Sequence, residues 1–93
     1  MTTTTPLQIT ILVNATALAR NKEALRAALG LGLRGDTVQV IIGKAAQPWI
    51  HGDDPDIRRA LATLSELGHT LNDEQDVDVD SMLRTADAIE HWT

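Results

Sequence analysis

LQITILV, residues 7–13, decides how the rest of the chain is read. Its β-branched side chains form a nearly continuous apolar run, the pattern of a strand buried on both faces of a parallel sheet. DTVQVII, residues 36–42, repeats that pattern and ends at Gly43. Between the two runs, Asn14–Thr16 reads as a turn and a helix follows to about Arg34, with Asn21 as its expected cap. Leu25, Leu29 and Leu33 fall at i, i+4 and i+8 on one face of that helix, and Gly35 is its natural stop. Strand, helix and strand in so short a span make a βαβ unit, hence a parallel pair with a right-handed crossover.

Gly30 and Gly32 each cost the helix about 1 kcal/mol against Ala, so they are expected to allow close approach of helix and sheet. With Gly35 they spell G-x-G-x-x-G, but at a helix end rather than between a strand and a helix start. The dinucleotide reading therefore fails.

Working outward, GKAAQPWIHGDDPDI (43–57) reads as a long loop that ends in a helix, with Asp54 as cap and Pro55 at the first position. Ile57, Leu61, Leu64 and Leu67 supply an apolar stripe until Gly68. A short third strand is expected at His69–Leu71. The acidic stretch NDEQDVDVD (72–80) then leads to a short helix at Ser81–Arg84 and a final strand or terminal segment at Ala86–Trp92. The expected fold is α/β: a single Rossmann-like domain over residues 7–93 with a mostly parallel sheet of four to five strands flanked by helices.

Residues 1–6, MTTTTP, have neither the basic nor the apolar segment of a secretory signal, and no apolar run approaches the ~20 residues of a membrane span. They are expected to be a disordered tail on a cytoplasmic protein with no membrane partner.

The 93 residues are 43% hydrophobic yet include no Phe, no Tyr and two Trp, so the core must be aliphatic. A domain this small buries only roughly 60–65% of its unfolded surface, a margin that association often supplements. A partner subunit is expected. The absence of cysteine removes disulfides, thiolate metal sites and persulfide chemistry together. The net charge of −5 is uneven: residues 1–50 hold five Lys/Arg and two Asp/Glu, residues 51–93 three and eleven. Without a basic cluster to displace counterions, a nucleic-acid partner is not expected.

Ligands of open parallel sheets lie beyond the carboxyl ends of the strands, where the turns at 14–16, 43–54 and 72–76 should meet. Asn14, Trp49, His51 and Asn72 are accordingly the ligand or interface candidates. Trp49 suits an interface cover or, as the lesser reading, a stacking floor. His51 with Asp53 could be a base and its orienter, but no nucleophile lies near them in sequence, so no catalytic residue is assigned. Asp76, Asp78, Asp80 and Asp87 echo a calcium loop that lacks its glycine, Ser81 standing there instead. His69 and His91 are isolated, and no G-x-S-x-G turn is present. Neither metal nor cofactor is expected.

The order of elements supplies one more clue. ITILVNATALARNKEALRAALGLGLRGDTVQVIIG (9–43) resembles the opening of DsrE/DsrF/DsrH-type sulfur-relay proteins. LATLSELGHTLND (61–73) is similar to their second helix and third strand, and MLRTADAIEHWT (82–93) to their closing segment. The resemblance implies a Rossmann-like subunit of a trimer or two-layered hexamer that passes sulfur as a cysteine persulfide. The acceptor cysteine of the catalytic subunit corresponds to the region of Asn72 and Asp73, neither of which can hold sulfane sulfur. What the resemblance leaves is a non-catalytic subunit, acting in a homo-oligomer or in a hetero-oligomer with a cysteine-bearing DsrE-like subunit. The alternative is a small-molecule binding module, using the crevice at the carboxyl edge of the sheet. An enzyme with a histidine base stands third.

Overall fold

The computed structural model describes residues 7–93, so the expected tail at 1–6 lies outside the described residues. Four strands, β1 (Gln8–Val13), β2 (Thr37–Ile42), β3 (Thr70–Asp73) and β4 (Ala88–Trp92), form one all-parallel sheet in the order β3-β2-β1-β4. The helices are α1 (Leu18–Leu33), α2 (Gln47–Ile50), α3 (Pro55–Glu66) and α4 (Val79–Thr85). This is the α/β, Rossmann-like architecture expected. The third strand begins one residue later than expected and runs to Asp73.

The topology follows from handedness. Right-handed crossovers from β1 to β2 and from β2 to β3 place α1 and α3 on one face of the sheet. The chain then doubles back, so the crossover from β3 to β4 carries α4 over the other face. Ile9, Ile11, Val13, Val38, Val40 and Ile42 point towards α1 and α3 and form the core with Leu25, Ala28, Ile57 and Leu64. The core is aliphatic, as the composition requires.

Two aspartates set the start of β1 between its neighbours. Asp36, before β2, accepts from the Leu7 amide at 3.1 Å, and Asp87, before β4, accepts from the Gln8 amide at 2.8 Å. Backbone bonds reciprocate: Thr37 N donates to Leu7 O at 2.9 Å and Asp87 N to Gln8 O at 2.7 Å. The Arg34 guanidinium beside buried Asp36, with the Leu7 amide, holds its carboxyl below the usual aspartate range.

Helix α3 begins as the sequence indicates. Asp54 Oδ1 accepts from Asp56 N at 3.0 Å and Ile57 N at 3.1 Å, with Pro55 in the first turn, and Gly68 ends the element at φ +84°. Gly35 plays the same part after α1 at φ +104°.

Elsewhere the helices correct the reading. Asn21 is not the cap of α1: the helix starts after Ala17, which offers no capping side chain, and Asn21 is a buried residue of its first turn. Leu33 is 76% exposed at the helix end, so the expected apolar face does not include it, and Leu29 and Leu31 are the last residues of α1 packed against the core. Gly30 makes no close approach, since a Cβ there would meet nothing within 4 Å. Gly32 does, but against the His69 imidazole rather than the sheet. His69 Nδ1 also accepts from Val38 N at 3.2 Å, tying the entry of β3 to β2.

The α4 face is the thinner layer. None of the seven residues of α4 is buried, and Ile89 of β4 is 50% exposed. Thr10 and Ile41 beneath are nevertheless fully buried. Thr10 and Gln39 lie side by side in register, and Thr10 Oγ1 and Gln39 Oε1 are buried with no hydrogen-bond partner.

Candidate functional site

At the carboxyl edge, residues 43–54 are not an open loop. Lys44–Ala46 make a 3-10 turn that runs into α2, because Pro48 fits the first turn of a helix. This folding disposes of the four candidates differently.

Asn14 is a structural bracket. Its Oδ1 accepts from Ala45 N at 2.9 Å, its own amide donates to Trp92 O at 2.9 Å, and a Cβ on Gly43 would fall 2.3 Å from that Oδ1. Gly43 is glycine because Asn14 occupies the space. Trp49 is a pin: its indole Nε1 donates to Thr16 O at 2.9 Å, joining α2 to the β1–α1 turn, with 37% of the residue exposed. Trp49 does not line the pocket that lies beside His51.

His51 and Asn72 do come together. With Asp73 and Asp76 they line the polar side of a pocket of about 250 Å³, whose apolar side is Ile42, Ile50, Leu61 and Leu71. His51 Nε2 stands 3.8 Å from Asp73 Oδ2, beyond hydrogen-bonding distance, and its side chain is 63% exposed. Asp73, and not Asp53, is the carboxylate within 4.0 Å of His51. The lining offers no hydroxyl, thiol or amine; its reactive groups are the His51 imidazole and the Asp73 and Asp76 carboxylates. Nearby, Glu74 accepts from Lys44 N at 2.8 Å and closes the turn beside β2.

The position where a doubly wound sheet most often takes a ligand is the switch between β1 and β4, where the order of connection reverses. Here Trp92 packs against the core, the Arg20 guanidinium lies 4.7 Å from the centre of its ring, and Arg20 Nε donates to Thr93 O at 3.3 Å. Arg20 and Trp92 thus lie together at this switch. Trp92 and Arg20 were not among the sequence candidates, because only the parallel register Val13↔Trp92 brings them beside the β1–α1 turn.

No family model, curated protein or solved structure matches this chain. The site therefore rests on its own geometry. Among the described residues, no three His, Asp or Glu side chains gather as a metal ion would require. No helix among them is long and apolar enough to cross a membrane.

One charged cluster beside the edge is stabilising in a plain way. Lys22 of α1 reaches Asp54 at 3.0 Å and Asp56 at 3.2 Å, which raises its pKa above the ordinary lysine value. The Ile57 amide, with Lys22, holds the Asp54 carboxyl below the usual range.

Proposed function

We propose that this chain is a non-catalytic, DsrE-like subunit that acts by assembly, in an oligomer of its own or with a cysteine-bearing partner of the sulfur-relay kind. The observation that carries this reading is the unequal covering of the sheet. Two helices of 16 and 12 residues cover one face, while seven residues with none buried cover the other. Ile89 is left half-exposed and Met82 and Leu83 only partly buried. A second subunit against this side would remove that apolar surface from water at about 25 cal/mol per Å². The carboxyl edge supports the same reading, since Arg20 and Trp92 lie together at the switch where such sheets most often take a ligand.

The test is an Ile89→Lys variant. Ile89 lies outside the buried core, so the fold should survive, as circular dichroism would verify, while the assembled fraction measured by light scattering should fall. A monomeric wild type would refute the reading, and an unchanged mass for the variant would remove Ile89 from the contact.

The pocket beside His51 supports a second reading, a small-molecule binding module. Four aliphatic walls with Asp73 and Asp76 among the polar lining suit a cationic group on an apolar body. Alkylamines should then raise the melting temperature of the wild type but not of Asp73→Asn. Equal shifts in both proteins would retire this reading.

A further inference from the structure

The crossover of α4 to the far side of the sheet divides the charges unequally between two layers, the α1–α3 layer holding five cations beside Glu23, Asp56 and Glu66. Arg20, Lys22 and Arg26 stand on α1 and Arg58 and Arg59 on α3, all on one face. From Asn72 to Trp92 the chain carries seven carboxylates and one arginine, in the layer and edges that enclose the other face.

The basic layer contains a groove. Between α1 and α3 lies a depression of about 260 Å³, with Leu25, Leu29, Ile57 and Ala60 among its lining and the exposed Arg26 and Arg59 on either helix. Lys22, at one end, is already held by Asp54 and Asp56. Arg26 and Arg59 have no carboxylate within 4.0 Å among the described residues. From the carboxyl edge into α4, Asp76, Asp78 and Asp80 are exposed at alternate positions, with Val77 and Val79 half-buried between them, and no Lys or Arg pairs with them.

Resting on the assembly reading above, we infer that the occupant of the α1–α3 groove is the acidic segment 76–80 of a second copy of this chain. Charge decides the arrangement. Like layers repel, so two copies cannot meet acidic side to acidic side or basic side to basic side. They meet head to tail, with the guanidiniums of Arg26 and Arg59 receiving carboxylates that no Lys or Arg pairs in their own subunit. A head-to-tail contact either closes into a ring or continues as a filament. It also covers the thin α4 layer of one copy with the helical layer of the next.

The experiment uses two variants of the full chain, Arg26→Glu/Arg59→Glu and Asp76→Lys/Asp80→Lys, leaving Asp78 in place because it caps α4. Each variant alone should be monomeric by sedimentation. Mixed in equal amounts they should pair and alternate in the assembly, because the acidic segment of one meets the basic groove of the other and the introduced lysines meet the introduced glutamates. The mixed assembly should weaken as salt rises. If the wild type assembles and either variant keeps the same mass, or if the mixture forms no pair, the inference is wrong and the assembly reading stands. A wild type that never assembles defeats both. Should a charge reversal unfold the chain, Arg26→Gln/Arg59→Gln replaces it, and its assembly must be more than roughly tenfold weaker, since truncating one side of a desolvated charge pair costs at least that. An unchanged affinity overturns the inference.

Discussion

Asn21 holds both backbone groups of Ala15: its Oδ1 accepts from Ala15 N at 3.0 Å and its Nδ2 donates to Ala15 O at 2.9 Å. Both residues are buried, so the turn that leads from β1 into α1 has its polar groups satisfied without water. An amide carries its donor and its acceptor on separate atoms, which lets it meet the N–H and the C=O of one residue together.

Asn21→Leu should therefore leave a buried donor and a buried acceptor unpaired and destabilise the fold by about 2–4 kcal/mol. Asn21→Asp keeps the acceptor alone and should fall between. Urea unfolding measures both. A leucine variant within experimental error of the wild type would show that the turn does not depend on this bracket.

Two glycines should respond in opposite directions to the same change. Gly43→Ala must displace Asn14, which costs the bond to Ala45 N and should destabilise the chain. Gly30→Ala meets nothing and lies within α1, so it should stabilise by roughly 0.5–1 kcal/mol. Thermal melts of the pair decide, and effects of equal sign would contradict the packing described.

Stability should fall in acid through Asp36 and Asp54. Both carboxyls have pKa values lowered in the folded state, so the folded chain binds fewer protons there than the unfolded chain. Their contribution is present above the ordinary aspartate value, about 3.9, and is lost as pH falls through the lower folded values. Lys22 has the opposite sign: its raised pKa adds stability that is complete below the ordinary lysine value and lost as pH rises through the folded one. Asp36→Asn should flatten the acid limb of a stability–pH curve. An unaltered slope would mean that the Arg34 and Leu7 contacts do not bias its titration.

Removing the cap of α3 should also be felt. Asp54→Ala frees the amides of Asp56 and Ile57 and releases Lys22, and the melting temperature should drop by roughly 4–8 °C, the scale of one lost cap in a domain this size. Asp54→Asn, which can still cap, should recover much of the loss.

β1 and β2 were legible because their β-branched runs have no other comfortable home, and α3 because Asp54, Pro55 and Gly68 mark its ends by local rules. His51 and Asn72 were legible only as two of four candidates on the edge where parallel sheets place their turns, and Asn72 lies within β3 itself. The remainder depends on contacts distant in sequence. Trp49 to Thr16 spans 33 residues and Asn14 to Ala45 spans 31, so no local pattern announces either bond. Asn21 looked like a cap because asparagine favours that position, but the tertiary demand of Ala15 outweighed the preference. The charge asymmetry was visible as a difference between the two halves of the sequence. Its sorting into layers was not, because Arg58 and Arg59 belong to the second half yet join the helices of the first layer.

The central claim is that this chain works by contact with another subunit, and its mass in solution tests that most directly. Sedimentation equilibrium of the wild type at low ionic strength should return a multiple of the 10.1 kDa chain, and the mass should decline towards a single chain as salt is added. A mass of 10.1 kDa at every protein concentration and every ionic strength would contradict the account.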